Sequence, residues 1–171
     1  AIKDDIPVML MDEATIEARG IEPLKPYLDT INGITDKAGL LKVLATPGYA
    51  SPFGLGIEAD VANPKQYAVW GAQGGLGMPD REYYLDPAES MIKYRSAYKT
   101  YVTKVFELLG DATPAASADA VIAFETEVAK GHWKQEDLRV TDNAFKAMDA
   151  AKFRALVPNI DLDKFAADAG L

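Results

Sequence analysis

Three groups of side chains in this sequence are of types and spacings that can do chemistry. His132, the only histidine, has Glu136 four residues on; on one continuous helix the pair would share a face and make half of a metal site. A lone histidine beside Trp133 near a helix end more commonly packs or hydrogen-bonds, and that is the preferred reading. Glu125 and Glu127 are the second group. General acid–base work needs two carboxylates on one face, and a spacing of two residues on a helix turns them apart, so by themselves they make no paired site. The third group is the stretch Gly74-Gly75-Leu76-Gly77-Met78-Pro79-Asp80-Arg81-Glu82-Tyr83-Tyr84-Leu85. Its glycines permit close backbone approach, Pro79 fixes its own φ and biases Met78 towards an extended conformation, and Arg81 is a residue type that grips carboxylates with two parallel hydrogen bonds.

That stretch does not read as a phosphate cradle. A P-loop ends in Gly-Lys-Ser/Thr, and a dinucleotide loop opens directly into a helix from Gly-x-Gly-x-x-Gly, whereas Gly75-Leu76-Gly77 leads to Met78-Pro79-Asp80. It reads as a specified corner in which Asp80 and Arg81 fix the turn while Tyr83 and Tyr84 anchor it to the following helix. The functional alternative gives Arg81 the carboxylate of a peptide.

The rest of the composition excludes more than it suggests. With a single histidine, His-Glu-x-x-His cannot be written, and with no cysteine there is neither a thiolate nucleophile nor a disulfide. No Gly-x-Ser-x-Gly elbow surrounds Ser51, Ser90, Ser96 or Ser117. A formal charge of −8 and a pI near 4.7, with the basic residues scattered, oppose nucleic acid as a partner. No apolar run reaches about eighteen residues and no charged-then-apolar leader is present, so no membrane span is expected. The chain lacks the usual equipment of a hydrolase.

The elements that must position these residues follow from periodicity and from proline and glycine punctuation. Helical spacing predicts helices over 5–19, 23–32 and 36–46. Strict alternation from Phe53, followed by Asn63-Pro64-Lys65 and by Tyr67, Val69 and Trp70, predicts an antiparallel hairpin over 53–73. The loop occupies 74–85, and further helices are expected over 87–109, 115–133, 149–156 and 161–169. Tyr94, Tyr98 and Tyr101, spaced at helical intervals, read as core with their hydroxyls at the rim rather than as a ligand platform. The fold class is mainly α with one β-hairpin, in a single unit of residues 1–171.

The loop Gly75-Leu76-Gly77-Met78-Pro79-Asp80-Arg81-Glu82-Tyr83-Tyr84 closely resembles a segment of the neprilysin and endothelin-converting-enzyme family of zinc metalloendopeptidases. The likeness is colinear along nearly the whole chain. Met11-Asp12, Ile16-Glu17, Gly20, Pro23-Leu24, Leu28, Ile31 and Ile34 are similar to the stretch before the hairpin in bacterial members. Phe53, Asp60, Asn63 and Tyr67 resemble the hairpin itself, and Arg95, Tyr98, Leu108-Leu109-Gly110, Glu125 and His132-Trp133 follow in the family's order. The C-terminal part departs: Arg139 is followed by Val140 rather than by an acid, the stretch continues with Asn143, Phe145-Lys146 and Met148, and Leu162 stands where a tryptophan is common.

The resemblance implies a helical scaffold and substrate-chamber wall, cut from a zinc endopeptidase of peptides and small proteins. The zinc ligands and the catalytic glutamate would lie outside these residues, so the isolated chain binds no zinc and is inactive. Its partners would be the remainder of the protease and, through that enzyme, peptide substrates. An apolar patch beside Phe53 or Trp70, where a neighbour was removed, would also support a homodimer. The compartment implied is the bacterial periplasm or exterior, with the cytoplasm left open. An alternative reading is a self-contained helical module that binds a peptide or protein in a groove beside the hairpin.

Overall fold

Proline and glycine fall where the sequence changes period, and in the computed structural model of the protein the elements end at those residues. The structure describes the backbone of residues 2–3 and 6–7, and residues 18–140 and 146–171 in full. The chain divides into two units, residues 1–36 and 37–171.

In the first unit, β1 (Ile2–Lys3) and β2 (Ile6–Pro7) pair antiparallel, with Ile2 opposite Pro7 and Lys3 opposite Ile6. Of the helix expected over 5–19, Ile6 and Pro7 are therefore extended, a position that suits a residue with fixed φ and no amide to donate. Ala18 and Arg19 are helical; residues 8–17, which carry Met11-Asp12 and Ile16-Glu17, lie outside the described residues. A 3-10 turn at Glu22–Leu24 then leads into α1 (Lys25–Asn32). Pro23 and Pro26 occupy first-turn positions where no amide hydrogen is required, and Lys25 pairs with Asp29 at 2.8 Å one turn on.

The second unit opens with α2 (Lys37–Ala45), which stops before Pro47 and Gly48, the latter at φ +97°. Strands β3 (Phe53–Ala59) and β4 (Tyr67–Gln73) form the hairpin, in register from Phe53 opposite Gln73 to Ala59 opposite Tyr67. Its turn is closed by the Asp60 amide donating to the Gln66 carbonyl at 2.9 Å and by the Asp60 carboxylate accepting from the Ala62 amide at 2.8 Å. Only the base of the hairpin is covered: Phe53 stacks on Phe165 with centroids 4.7 Å apart, while Ile57, Val69 and Tyr67 (82% exposed) stand in solvent at the tip. The alternation expected along β3 is thus half-buried at one end alone, because among the described residues no element of this unit covers the tip.

After the loop come α3 (Glu82–Leu85), α4 (Glu89–Leu108), α5 (Pro114–Gly131), α6 (Gln135–Leu138), α7 (Ala150–Leu156) and α8 (Leu162–Asp168). Gly110, at φ +76°, ends α4: the Asp111 amide donates to the Phe106 carbonyl and the Gly110 amide to the Glu107 carbonyl, both at 3.0 Å, a six-to-one and five-to-two closure that needs a left-handed residue. Asp149 and Asp161 cap α7 and α8 by accepting from the Lys152 and Lys164 amides. Residues 141–145, with Asn143 and Phe145, lie outside the described residues. The protein is mainly helical with one substantial hairpin. Met78, Tyr84 and Ala129 are the centre of its buried cluster, packed about by Leu76, Tyr83, Leu85 and Tyr98, so the loop sends side chains into the core while Gly77 and Pro79 stay exposed.

Candidate functional site: the glycine loop, a buried glutamate and the adjoining cleft

A loop that enters a core brings backbone amides with no ladder to join, and each needs a partner. Here the partner is Glu125, from the middle of α5, only 9% exposed. Its Oε1 accepts from the Gly77 amide at 3.2 Å and from the Tyr98 hydroxyl at 3.1 Å; its Oε2 accepts from the Tyr84 hydroxyl at 2.8 Å. The Tyr84 oxygen in turn accepts from the Met78 amide at 2.9 Å. Two consecutive loop amides are thereby satisfied, one by the carboxylate directly and one through a tyrosine. None of the ion pairs among the described residues includes Glu125, so donated hydrogen bonds stand in for a counter-cation.

Both tyrosines are held in the neutral form. Burial is the larger cause for Tyr98, followed by the charge of Glu125, and its hydroxyl is pushed up to about 12. Tyr84 is raised as well, by burial first, against the Met78 amide, which acts in the opposite direction, and with the Glu125 carboxylate reinforcing the rise. A neutral phenol is the form that can donate to a carboxylate, so the arrangement and the shifts agree.

The approach is close enough to require glycine. A Cβ on Gly77 would fall on the Tyr98 hydroxyl, 2.8 Å from Tyr98 Cζ and 3.1 Å from Glu125 Oε1. Gly75 sits at φ +79°, and a Cβ there would lie 2.8 Å from Pro52 Cα, which ties the loop to the foot of the hairpin. Other stitches run the same way: Gly74 N–H donates to the Pro52 carbonyl at 2.9 Å, His132 Nε2 lies 3.0 Å from the Gly74 carbonyl, and the Trp133 amide donates to Gln73 Oε1 at 2.9 Å.

The structure sorts the residues singled out from the sequence. Leu76, Tyr83 and Tyr84 are core or packed on it, with the Tyr83 and Asp86 backbone carbonyls both accepting from Arg95 Nη1, at 2.9 and 3.0 Å. Pro79 and Asp80 face an open cleft, and Asp80 Oδ1 accepts from the Glu82 amide at 2.9 Å. Arg81, 21% exposed at its side chain, precedes α3 with Nε 3.8 Å from Glu82 Oε1. Helix α5 stops at Gly131, and His132 leaves it in an extended conformation at ψ 146°, so His132 and Glu136 never share a helical face; Glu136 lies on α6, 3.5 Å from Lys134. Glu127 is turned away from Glu125 and pairs with Lys130 at 2.6 Å.

One expectation needs correction. Tyr98 carries its hydroxyl inward to Glu125 rather than at the rim, while Tyr94 and Tyr101 are mostly exposed rather than core, because α4 covers one flank only, the one facing α5 and the loop. Phe53 and Trp70, beside which an apolar patch is expected, both line the cleft, and Ile57, Tyr67 and Val69 of the same hairpin are exposed. Glu125 itself was named from the sequence without a role. Its signal is a glutamate at helical spacing between Ala118 and Ala129, the two residues of α5 that are fully buried.

The cleft has a volume of about 1460 Å³ and is bounded by the hairpin (Leu55, Trp70), the loop (Leu76, Met78), the end of α5 (His132) and Phe153 of α7. Among the described residues no three His, Cys, Asp or Glu side chains converge as metal ligands, and no helix is long and apolar enough to cross a membrane.

Fold and site together define a mostly helical scaffold in which a carboxylate-anchored glycine loop walls an open cleft beside a hairpin. The chain belongs to peptidase family M13, whose family model matches residues 8–171. It is 29% identical over 163 residues to endothelin-converting enzyme 1 of Bos taurus, an alignment covering 88% of this chain and 22% of that protein. To an endothelin-converting enzyme homolog of Locusta migratoria it is 35% identical over 120 residues, covering 68% of this chain and 16% of the relative. The crystal structure of the Mycobacterium tuberculosis zinc metalloprotease ZMP1 in complex with an inhibitor is similar at a TM-score of 0.84 and 27% identity, covering 94% of this chain and 25% of that one. The chain thus spans a quarter or less of the relatives it matches, and the resemblance to the neprilysin and endothelin-converting-enzyme family read from its loop extends along nearly all of it.

Proposed function

We propose that these 171 residues are the N-terminal helical scaffold of a longer M13 zinc endopeptidase and form part of the wall of the chamber in which it holds peptides. The observation that supports this best is the likeness to ZMP1, which takes in 94% of this chain but a quarter of the other. The cleft, apolar along Leu55, Leu76 and Phe153 with His132 and Asp80 at its margins, has the make-up of a peptide-facing wall. The donor set for zinc does not fit within this chain, which has one histidine and no cysteine, so no step of hydrolysis is routed through its residues. The metal and the chemistry it supplies belong to the remainder of the protease, and the chain alone is inactive.

Within the loop, Gly75 and Gly77 allow the close approaches, Leu76, Tyr83 and Tyr84 pack it, Pro79 sets the backbone beside the cleft, and Asp80 and Arg81 fix the corner. Arg81 is given this structural role in preference to contact with a peptide carboxylate because Asp80 lines the cleft and Arg81 does not. The self-contained binding module is not favoured, since residues 8–171 match the family throughout. The compartment proposed is the periplasm or exterior of a bacterium.

The test compares the purified chain with the product of the complete reading frame. The longer protein is expected to retain zinc and to cleave a quenched fluorescent peptide in a chelator-sensitive manner, and the chain to do neither. Chelator-sensitive cleavage by the 171-residue chain, or a complete frame without it, would overturn the proposal.

A further inference from the structure

We infer that Glu125 is a positioning residue for substrate: through the Gly77 and Met78 amides it holds the loop wall of the cleft in its binding shape, although its own carboxylate does not line the cleft. The inference rests on the peptidase reading above and assigns the scaffold a specific element of that enzyme's substrate binding.

Three observations converge on it. The amides that Glu125 serves belong to the residues flanked by Leu76, Pro79 and Asp80, and Leu76, Met78, Pro79 and Asp80 all line the cleft. Among the described residues neither amide has a backbone partner; Gly77 N–H ends on Glu125 Oε1 and Met78 N–H ends on the Tyr84 hydroxyl that Glu125 Oε2 orients. The hub also joins three separate pieces of the unit, since Tyr98 comes from α4, Glu125 from α5 and Tyr84 from α3. A displacement of the loop relative to those helices must break hydrogen bonds to a buried charged group, so the wall's shape is coupled to one carboxylate.

The chemistry distinguishes variants. In Glu125→Gln a neutral amide oxygen replaces the carboxylate as the weaker acceptor for Gly77 N–H and Tyr98 O–H, and the NH₂ meets the Tyr84 oxygen as a second donor beside Met78 N–H, so the Tyr84 O–H loses its acceptor. Glu125→Leu removes every acceptor at similar volume. Tyr98→Phe removes one donor and leaves both loop amides satisfied, so it controls for simple loss of a core hydrogen bond.

Two measurements together decide the matter. In the folded chain, Glu125→Gln is expected to speed hydrogen exchange of the Gly77 and Met78 amides by about tenfold or more, with amides of α4 and α5 within about twofold of the parent. In the complete peptidase, Glu125→Gln is expected to raise KM for a quenched peptide by about tenfold with kcat within about twofold, Tyr98→Phe to have a smaller effect, and Glu125→Leu, where it folds, a larger one. Faster exchange spread evenly over all helices would mean a merely structural residue and overturn the inference, as would unchanged exchange at Gly77 and Met78. Local loosening with an unchanged KM would overturn it too, because the wall would then not serve substrate. A complete protein without chelator-sensitive cleavage refutes the peptidase reading instead, and the exchange data alone then decide whether Glu125 positions the loop.

Discussion

Adding one methyl group at Gly77 should be far more damaging than the same change at an open glycine. The Cβ of Gly77→Ala would fall on the Tyr98 hydroxyl, with Tyr98 Cζ at 2.8 Å and Glu125 Oε1 at 3.1 Å. Gly77 is not among the glycines with positive φ, so the damage is steric and not conformational. To make room, the Tyr98 ring must swing off Glu125, losing one hydrogen bond to a charged acceptor, and the loop must give way against the cluster of Met78, Tyr84 and Ala129. Overpacking of this kind costs about 1–3 kcal/mol and a lost hydrogen bond to a charged partner about 1.5–3 kcal/mol. The sum, about 2.5–6 kcal/mol, is a large part of the stability of an ordinary domain. Urea denaturation followed by circular dichroism reads it as a fall in midpoint at unchanged slope. Tyr98→Phe should rescue part of the loss, so that the double variant is more stable than the two single costs predict. Gly54→Ala, with nothing within 4 Å of its added Cβ, is the control and should lie within about 0.5 kcal/mol of the parent. Gly77→Ala as stable as Gly54→Ala, or additive with Tyr98→Phe, would refute the close-approach account.

Alkali and the hairpin foot supply two further expectations. Tyr98 keeps its proton in the folded state up to about 12 against an ordinary 10.0, so the unfolded chain releases that proton first. The stability it contributes is fully present below pH 10 and is lost as pH rises from 10 through about 12, with Tyr84 adding in the same direction. Unfolding midpoints measured across that range should fall less steeply in Tyr98→Phe, and an equal slope would count against the hub. At the foot of the hairpin, Gly75→Ala combines φ +79° with backbone atoms of Pro52 at 2.8 and 2.9 Å, whereas Gly48→Ala meets φ +97° in open space. Gly48→Ala should cost about 1–2 kcal/mol for its left-handed backbone and Gly75→Ala about 1–3 kcal/mol more, since a main chain cannot step aside; equal melting temperatures would contradict this.

The sequence by itself determined the hairpin and the longer helices of the second unit, because proline, glycine and aspartate at their ends act on the backbone within one turn. Pro114 opens α5, Gly110 closes α4, and Asn63-Pro64 turns the hairpin whatever else surrounds them. It also determined the family, since the glycine loop and the residues in order around it are a local, linear pattern. Only the tertiary structure decided what that loop packs on and bonds to. That Tyr98 points inward while Tyr94 and Tyr101 face solvent depends on which flank of α4 meets α5, and helical spacing alone is the same for all three. Likewise the short α3 and α6 carry no long periodic stretch to announce them, and His132 is separated from Glu136 by a helix stop that tertiary bonds to Gly74 and Gln73 accompany. Glu125 is the clearest instance: its three donors come from Gly77, Tyr84 and Tyr98, 48, 41 and 27 residues away, and a carboxylate becomes a hub only when folding removes water from around it and leaves those donors as its partners.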